Sequence, residues 1–222
     1  MKNPHAANVG GRIAESLNSN IRPSEPPRQP LTERMSAHAI PYLAALLNCT
    51  AEEAWTRQVY FQVFDDLPAK DKSKGYHFPG CLEDRVLQLE HLNLDQRGIF
   101  ITVNETDLLG RSKGNIVAAR AVWADIDEEK DTAEKELDLG ALALPPSLVV
   151  RSGHGWHLYW IFPEAIPCDE RKQRELEAML RGIQIALKPY GADSKVCQIQ
   201  TVLRLPGFYN VKREPVLVEV VQ

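Results

Sequence analysis

The stretch AVWADIDEEK, residues 121–130, sets two aspartates one residue apart at the end of a run that otherwise reads as a β-strand. Side chains alternate along an extended chain, so Val122, Ala124 and Ile126 share one face and Asp125 and Asp127 share the other. One face is expected to pack while the other presents two negative charges. Such a pair serves as a solvated strand end, or Asp127 serves as an N-cap for EEKDTAEKEL. Alternatively the pair holds a divalent cation, because hard Mg²⁺ or Mn²⁺ favours carboxylate oxygens and relieves their mutual repulsion.

Two further stretches carry chemical groups at high density. RSGHGWHLYW, residues 151–160, holds two glycines, a serine and two histidines across a turn and the start of a strand. Gly153 and Gly155 let a backbone approach a ligand closely, Ser152 can donate to an anion, and His157 can donate a charge-assisted hydrogen bond to phosphate. A glycine-rich hairpin turn with incidental histidines fits the same residues, and His154 sits at the turn itself. In VLRLPGFYNVKR, residues 202–213, Arg204 and Lys212 flank a Pro-Gly turn, with Asn210 between them. They suit a triphosphate, Arg as a planar fork and Lys as a point charge, or they are ordinary surface cations. Asp193, in PYGADSK, is either a local cap or a third metal carboxylate.

The elements that must position these groups can be read from periodicity. Residues 1–31, rich in Pro, Asn, Ser and Arg, are expected to be a flexible tail, and 32–222 a single folded domain. ERMSAHAIPYLAALLN and TAEEAWTRQ predict two short helices, the first interrupted by Pro41 and the second opened by a Thr50/Glu53 capping box. VYFQVF reads as a strand, DDLPAKDKSKGYHFPG as a long mobile loop with Lys70, Lys72 and Lys74, and CLEDRVLQLEHLN as a helix. GIFITVN is a strand and ETDLLGRSKGNI a polar loop bearing Arg111 and Lys113. After an exposed charged helix near 128–138, PPSLVVR and WHLYWIF form a hairpin. DERKQRELEAMLRGIQIALKPYG is the longest helix, and TVLRL and PVLVEVVQ are further strands. The class is mixed α and β, with an antiparallel sheet covered by helices on one face.

Composition narrows the function. With 222 residues, 44% hydrophobic and 25% charged, the chain can bury a sizeable core. A net charge of -4 weighs against nonspecific wrapping of nucleic acid, so a nucleic-acid surface must be a local basic patch. No apolar run reaches bilayer length and no secretory signal opens the chain, so no membrane partner and a cytoplasmic location are expected. Cys49, Cys81, Cys168 and Cys197 lack any C-x-x-C spacing and read as reduced thiols.

Taken in order, the acidic pair DID, the hairpin SGHGWH, an isolated acid and RLPGFYNVK resemble the catalytic core of the archaeo-eukaryotic primase superfamily. The likeness runs from about residue 59 to 213 and is strongest to the primases and primase-polymerases of plasmids and phages. It implies an α+β fold in which an N-terminal α/β module packs beside an RRM-like antiparallel sheet, with the active site in the cleft between them. It implies two divalent ions, Mg²⁺ or Mn²⁺, on Asp125, Asp127 and Asp193, and a nucleotide site built from Ser152, Gly153, His157, Arg204, Asn210 and Lys212. The implied partners are a single-stranded DNA template, nucleoside triphosphates of either sugar type and a replicative helicase. The NETDLLGRSKGN loop is expected to help form a second nucleotide or primer-end site. Because VEVVQ follows soon after the last motif, the chain is expected to be a piece of a longer replication protein.

Two rival readings remain open. A replication-initiator nuclease uses a tyrosine and a histidine pair on one strand face, whereas His154 and His157 have opposite parity. A non-catalytic RRM-type binder would present stacking aromatics, and there Asp125 and Asp127 would repel phosphate.

Overall fold

The computed structural model describes residues 28–67, 71–127 and 137–222. Most of the expected tail, Lys70 and the expected charged helix up to residue 136 lie outside the described residues. From Leu31 the chain enters one helical run: α1 (Leu31–Arg34), a π-helical turn (Met35–Ala39) and α2 (Ile40–Leu47). Pro41 does not end the run: it directly follows the π-helical turn, in which the Ile40 N–H bonds five residues back to Met35 O. The expected capping box opens α3 (Ala51–Thr56), with Thr50 accepting from the Glu53 N–H.

Two antiparallel sheets follow. In the first, strands run in the order β2 (Tyr76–Gly80), β1 (Val59–Asp65), β3 (Arg97–Thr102) and β8 (Val202–Arg204). The YHFPG segment is therefore a strand rather than a mobile loop. Its Pro79 is tolerated because β2 is an edge strand, where one backbone N–H is not needed for pairing. The second sheet has the order β11 (Glu219–Val220), β6 (Leu148–Arg151), β7 (Gly155–Pro167), β5 (Ile116–Asp127) and β4 (Glu105–Thr106). A small ribbon pairs β9 (Tyr209–Asn210) with β10 (Val216–Leu217). Helices α4 (Leu82–Leu94) and α5 (Glu170–Ala186) pack on the sheets, α4 against β3 and α5 against β5.

Both faces of β5 are packed, contrary to the single packed face expected from its alternation. Trp123 and Ala121, on the face of the aspartates, join the main core with Phe61, Ile99 and Tyr159, whereas Ala124 and Ile126 join a second cluster with Val149, Leu158 and Leu187. Asp125 and Asp127 lie where the first of these faces runs out of core. A β-bulge at Ala119–Ala121 is filled by the buried Asn104, whose Oδ1 accepts from Arg120 N (2.9 Å) and Ala121 N (3.4 Å).

Two glycines report on backbone spacing. Gly155 lies opposite Asp127, and a Cβ there would sit 1.9 Å from the Ile126 carbonyl oxygen. Gly182, in α5, has no atom within 4 Å of the position a Cβ would take. Gly155→Ala is therefore expected to lower stability by about 3 kcal/mol or more through forced strand separation, and Gly182→Ala to raise it by about 0.5–1 kcal/mol. Urea titrations of both variants against wild type check the two signs.

Candidate functional site

A cleft of about 970 Å³ opens between the sheets. From the second sheet it receives Asp125 and Asp127 at the end of β5 and Ser152, His154 and His157 around the β6–β7 turn. From the first sheet and its connections come Gln62, Asp65, Asp66, His77, Phe100 and Arg204. Asp193, Lys195, Asn210, Lys212 and Arg213 complete the wall. Of the metal and nucleotide ligands expected from the sequence, Gly153 alone does not line the cleft.

The three candidate metal acids are brought together by backbone bonds. Beyond the reach of β4, the free edge of β5 is taken by Gly191–Asp193: Asp127 N donates to Gly191 O (3.2 Å) and Asp193 N donates to Asp125 O (2.8 Å). An isolated bridge pairs Ile126 with Ala192 between them. Asp193 also forms a local turn, its Oδ1 accepting from Lys195 N at 3.0 Å. Thus it is both a local cap and a neighbour of Asp125. Its arrival follows the left-handed Gly191 (φ 90) that ends the helical segment after α5. The donor set of three carboxylates suits a hard divalent cation. Their ligand atoms are not all within 4.8 Å of one another. Among the described residues the single trio drawn that close is Cys81, Glu83 and Asp84 at the start of α4, none of which lines the cleft.

His157 pairs with Asp125 across the β5–β7 ladder, its Nε2 3.7 Å from Asp125 Oδ1. It is only 4% exposed, and burial, with Arg204 adding to it, pushes its pKa down to about 3. Burial thus favours the neutral imidazole, and at 3.7 Å the contact with Asp125 is longer than a hydrogen bond. Its Nδ1 is buried without a hydrogen-bond partner among the described residues. A neutral ring still donates one N–H, which is the form in which His157 can meet an anion.

Two other expected phosphate ligands prove to be committed inside the protein. Arg204, whose side chain is buried, makes a bidentate pair with Asp66 (Nη1–Oδ2 2.7 Å, Nη2–Oδ1 3.1 Å) and lies over the Phe100 ring, with Cζ 4.7 Å from the ring centroid. The fork is taken by Asp66, and the residue lines the cleft. Asn210 donates through Nδ2 to Ser152 O (2.8 Å) and accepts from Lys212 N (3.3 Å), so its amide ties the β6–β7 turn to the β9 ribbon. Gly153 serves the same turn: at φ 99 a Cβ would meet Asn210 at 3.1 Å. Lys212 remains exposed at the cleft wall.

The loop expected to form a second nucleotide site is mostly self-braced. Asp107 accepts from Leu109 N (2.9 Å) and from Asn115, and Lys113 is paired with Glu177 at 2.7 Å. Only Arg111 reaches the cleft, donating through Nε to the Gln62 carboxamide. Sequence reading missed Asp65, Asp66 and His77, which lie in the segment taken for a loop. Two aspartates closing a β-branched run were the available signal. Asp65 accepts from Asp71 N (2.9 Å) and Leu67 N (3.2 Å), bonds that hold it below the usual carboxylate range.

Comparisons with known proteins agree with this architecture. The chain matches a structure of the AEP domain of a cyanophage S-2L primase-polymerase with a TM-score of 0.58 and 19% identity, covering 83% of this chain and 88% of that one. It matches the catalytic domain of primase RepB′, solved in complex with initiator DNA, with a TM-score of 0.53 and 16% identity over 83% and 85% of the two chains. At these identities the likeness is one of fold. A replication protein of Clostridium perfringens is 28% identical over 138 residues, which make up 59% of this chain and 33% of the relative, so the chain spans about a third of that protein's length. The family model described as the RepB DNA-primase N-terminal domain matches residues 89–219. That match takes in the acidic strand, the glycine-rich hairpin and the Pro-Gly turn over more than half of the chain, which thus belongs to the RepB DNA-primase N-terminal domain family.

Proposed function

We propose that this domain catalyses template-directed nucleotidyl transfer, making or extending primers on single-stranded DNA in plasmid- or phage-type replication. The observation that carries this reading is the meeting of Asp125, Asp127 and Asp193 in one cleft with a wall of cations and a buried neutral histidine. Asp125, Asp127 and Asp193 would hold two Mg²⁺ or Mn²⁺ ions. When bound, such ions neutralise charge on a triphosphate and activate a 3′-hydroxyl for in-line attack.

The chain's own residues supply positioning. Lys212 offers a point charge from an exposed position, Ser152 lines the same cleft, and the Arg204 guanidinium adds to the positive wall. Asn210 and Gly153 act on the nucleotide through the shape of the hairpin turn. His157, desolvated beside Asp125, offers a neutral N–H donor to a phosphate oxygen, an interaction strengthened by the low local dielectric. The tyrosine-nuclease reading has weaker support, because His154 belongs to the turn while His157 lies within β7 and faces an acid. The non-catalytic RRM reading leaves three clustered acids unexplained.

Three outcomes test the proposal. An Asp125→Asn/Asp127→Asn double variant is expected to keep its fold and lose at least about a hundredfold in labelled-nucleotide incorporation, assayed on single-stranded template with Mg²⁺ or Mn²⁺, with and without primer; near-normal incorporation would sink the metal site. Mn²⁺ is expected to raise the melting temperature of wild type, because binding to the folded state alone stabilises it, and Asp193→Asn is expected to shrink that rise. An unchanged rise with full activity would return Asp193 to a purely local cap. His157→Ala is expected to lower incorporation about ten- to a hundredfold and His154→Ala far less, read from rate against nucleotide concentration. Equal defects would count against the role given to His157.

A further inference from the structure

A second pocket, of about 360 Å³, lies on the same two strands as the cleft but at their other end. It is lined by Arg57 and Arg120, with Glu105 as its one acid. Arg120 stands at the bulge of β5, where Asn104 captures the backbone N–H groups and the strand's alternation is broken. Bulges redirect side chains, and this one places a guanidinium whose side chain is only 11% exposed into the pocket.

That guanidinium is poorly satisfied. The nearest carboxylate, Glu105, is 3.6 Å away and 43% exposed, too far for a hydrogen bond. Burial lowers its pKa; Glu105 opposes the shift and the nearby Arg57 adds to it. Arg57 is itself fixed to the pocket wall by an Nη1 bond to Leu47 O at 3.2 Å. A buried guanidinium is normally matched by a carboxylate or phosphate that fills its fork. Two guanidiniums against one half-exposed acid leave the pocket a net positive charge and open donors.

We propose that the Arg57–Arg120 pocket binds a single phosphate group, supplied either by the backbone of a nucleic-acid strand or by a free nucleotide. Five residues of β5 separate Arg120 from Asp125, which at about 3.3 Å each is roughly 16 Å. β1 makes the same connection, from Gln58 at the pocket to Gln62 and Asp65 in the cleft. Both faces of β5 between cleft and pocket are packed, so a strand whose end lies in the cleft reaches this pocket over the protein surface. Only the strand as source rests on the proposed polymerase reading.

The test uses the full chain in chelator, so that binding is measured without metal and without catalysis. Wild type, Arg57→Gln, Arg120→Gln and Glu105→Gln are compared in two readouts. One is the salt dependence of binding to an oligo-dT strand, and the other is the melting-temperature shift given by a deoxynucleoside 5′-monophosphate. For a strand phosphate, Arg57→Gln and Arg120→Gln lower the slope of log affinity against log salt by about 0.7 each, while Glu105→Gln tightens binding about two- to fivefold. Unchanged slopes with a lost monophosphate shift support the free nucleotide instead. Both readouts at wild-type values in these variants overturn the proposal. Arg57 is exposed, so its variant carries the test alone should Arg120→Gln fail to fold. A wild type that binds phosphate here yet incorporates no nucleotide would separate this site from the polymerase reading.

Discussion

The arrangement depends on how the end of β5 is held. Asp125, Asp127 and Asp193 line one cleft, and like charges disfavour one another's approach. The gathering is done by the backbone. On one side Gly155 lets β7 approach so closely that no Cβ would fit against the Ile126 carbonyl, and on the other Gly191–Asp193 takes up the edge that β4 leaves open. With Trp123 locked in the core two residues back, the strand end cannot retreat from the cleft. The acids are thus held by a backbone frame set before any ligand arrives, which is the condition under which a divalent cation gains most by binding.

The positive wall is organised differently. Arg204 is not an open phosphate receptor: its fork is filled by Asp66 and its plane rests over Phe100. A buried pair of this kind contributes little net stability, yet breaking it leaves an uncompensated charge. Its effect on the site is to fix the guanidinium beside His157, where it adds to burial in keeping the imidazole neutral. Acids placed by backbone, a cation placed by a buried counter-ion and a histidine kept neutral by burial and that cation give a cleft whose donors are set before any ligand arrives.

Much of this was legible in the sequence. The strand with Asp125 and Asp127, the β6–β7 hairpin, the capping box at Thr50 and the long helix α5 all follow from local periodicity and turn chemistry, which act over a few residues. What escaped depends on distant partners. Asn210 and Arg204 read as ligands from the sequence, and only the fold shows the internal bonds, to Ser152 and to Asp66, that also fix their side chains in the cleft wall. The charge state of His157 follows from burial, which a strand pattern does not give. YHFPG was obscured by its proline and its lysine-rich approach, and is a strand because β1 offers it an edge. Asp66 was hidden for the same reason, within a stretch that composition marks as loop.

The central claim, that the cleft acids hold two divalent cations around a nucleotide, is tested most directly by anomalous scattering from crystals grown with Mn²⁺ and a non-hydrolysable nucleoside triphosphate. The account predicts manganese peaks in the cleft beside Asp125, Asp127 and Asp193, with the triphosphate on the Lys212 side. Manganese bound elsewhere, or a nucleotide seated without metal at these acids, would contradict it.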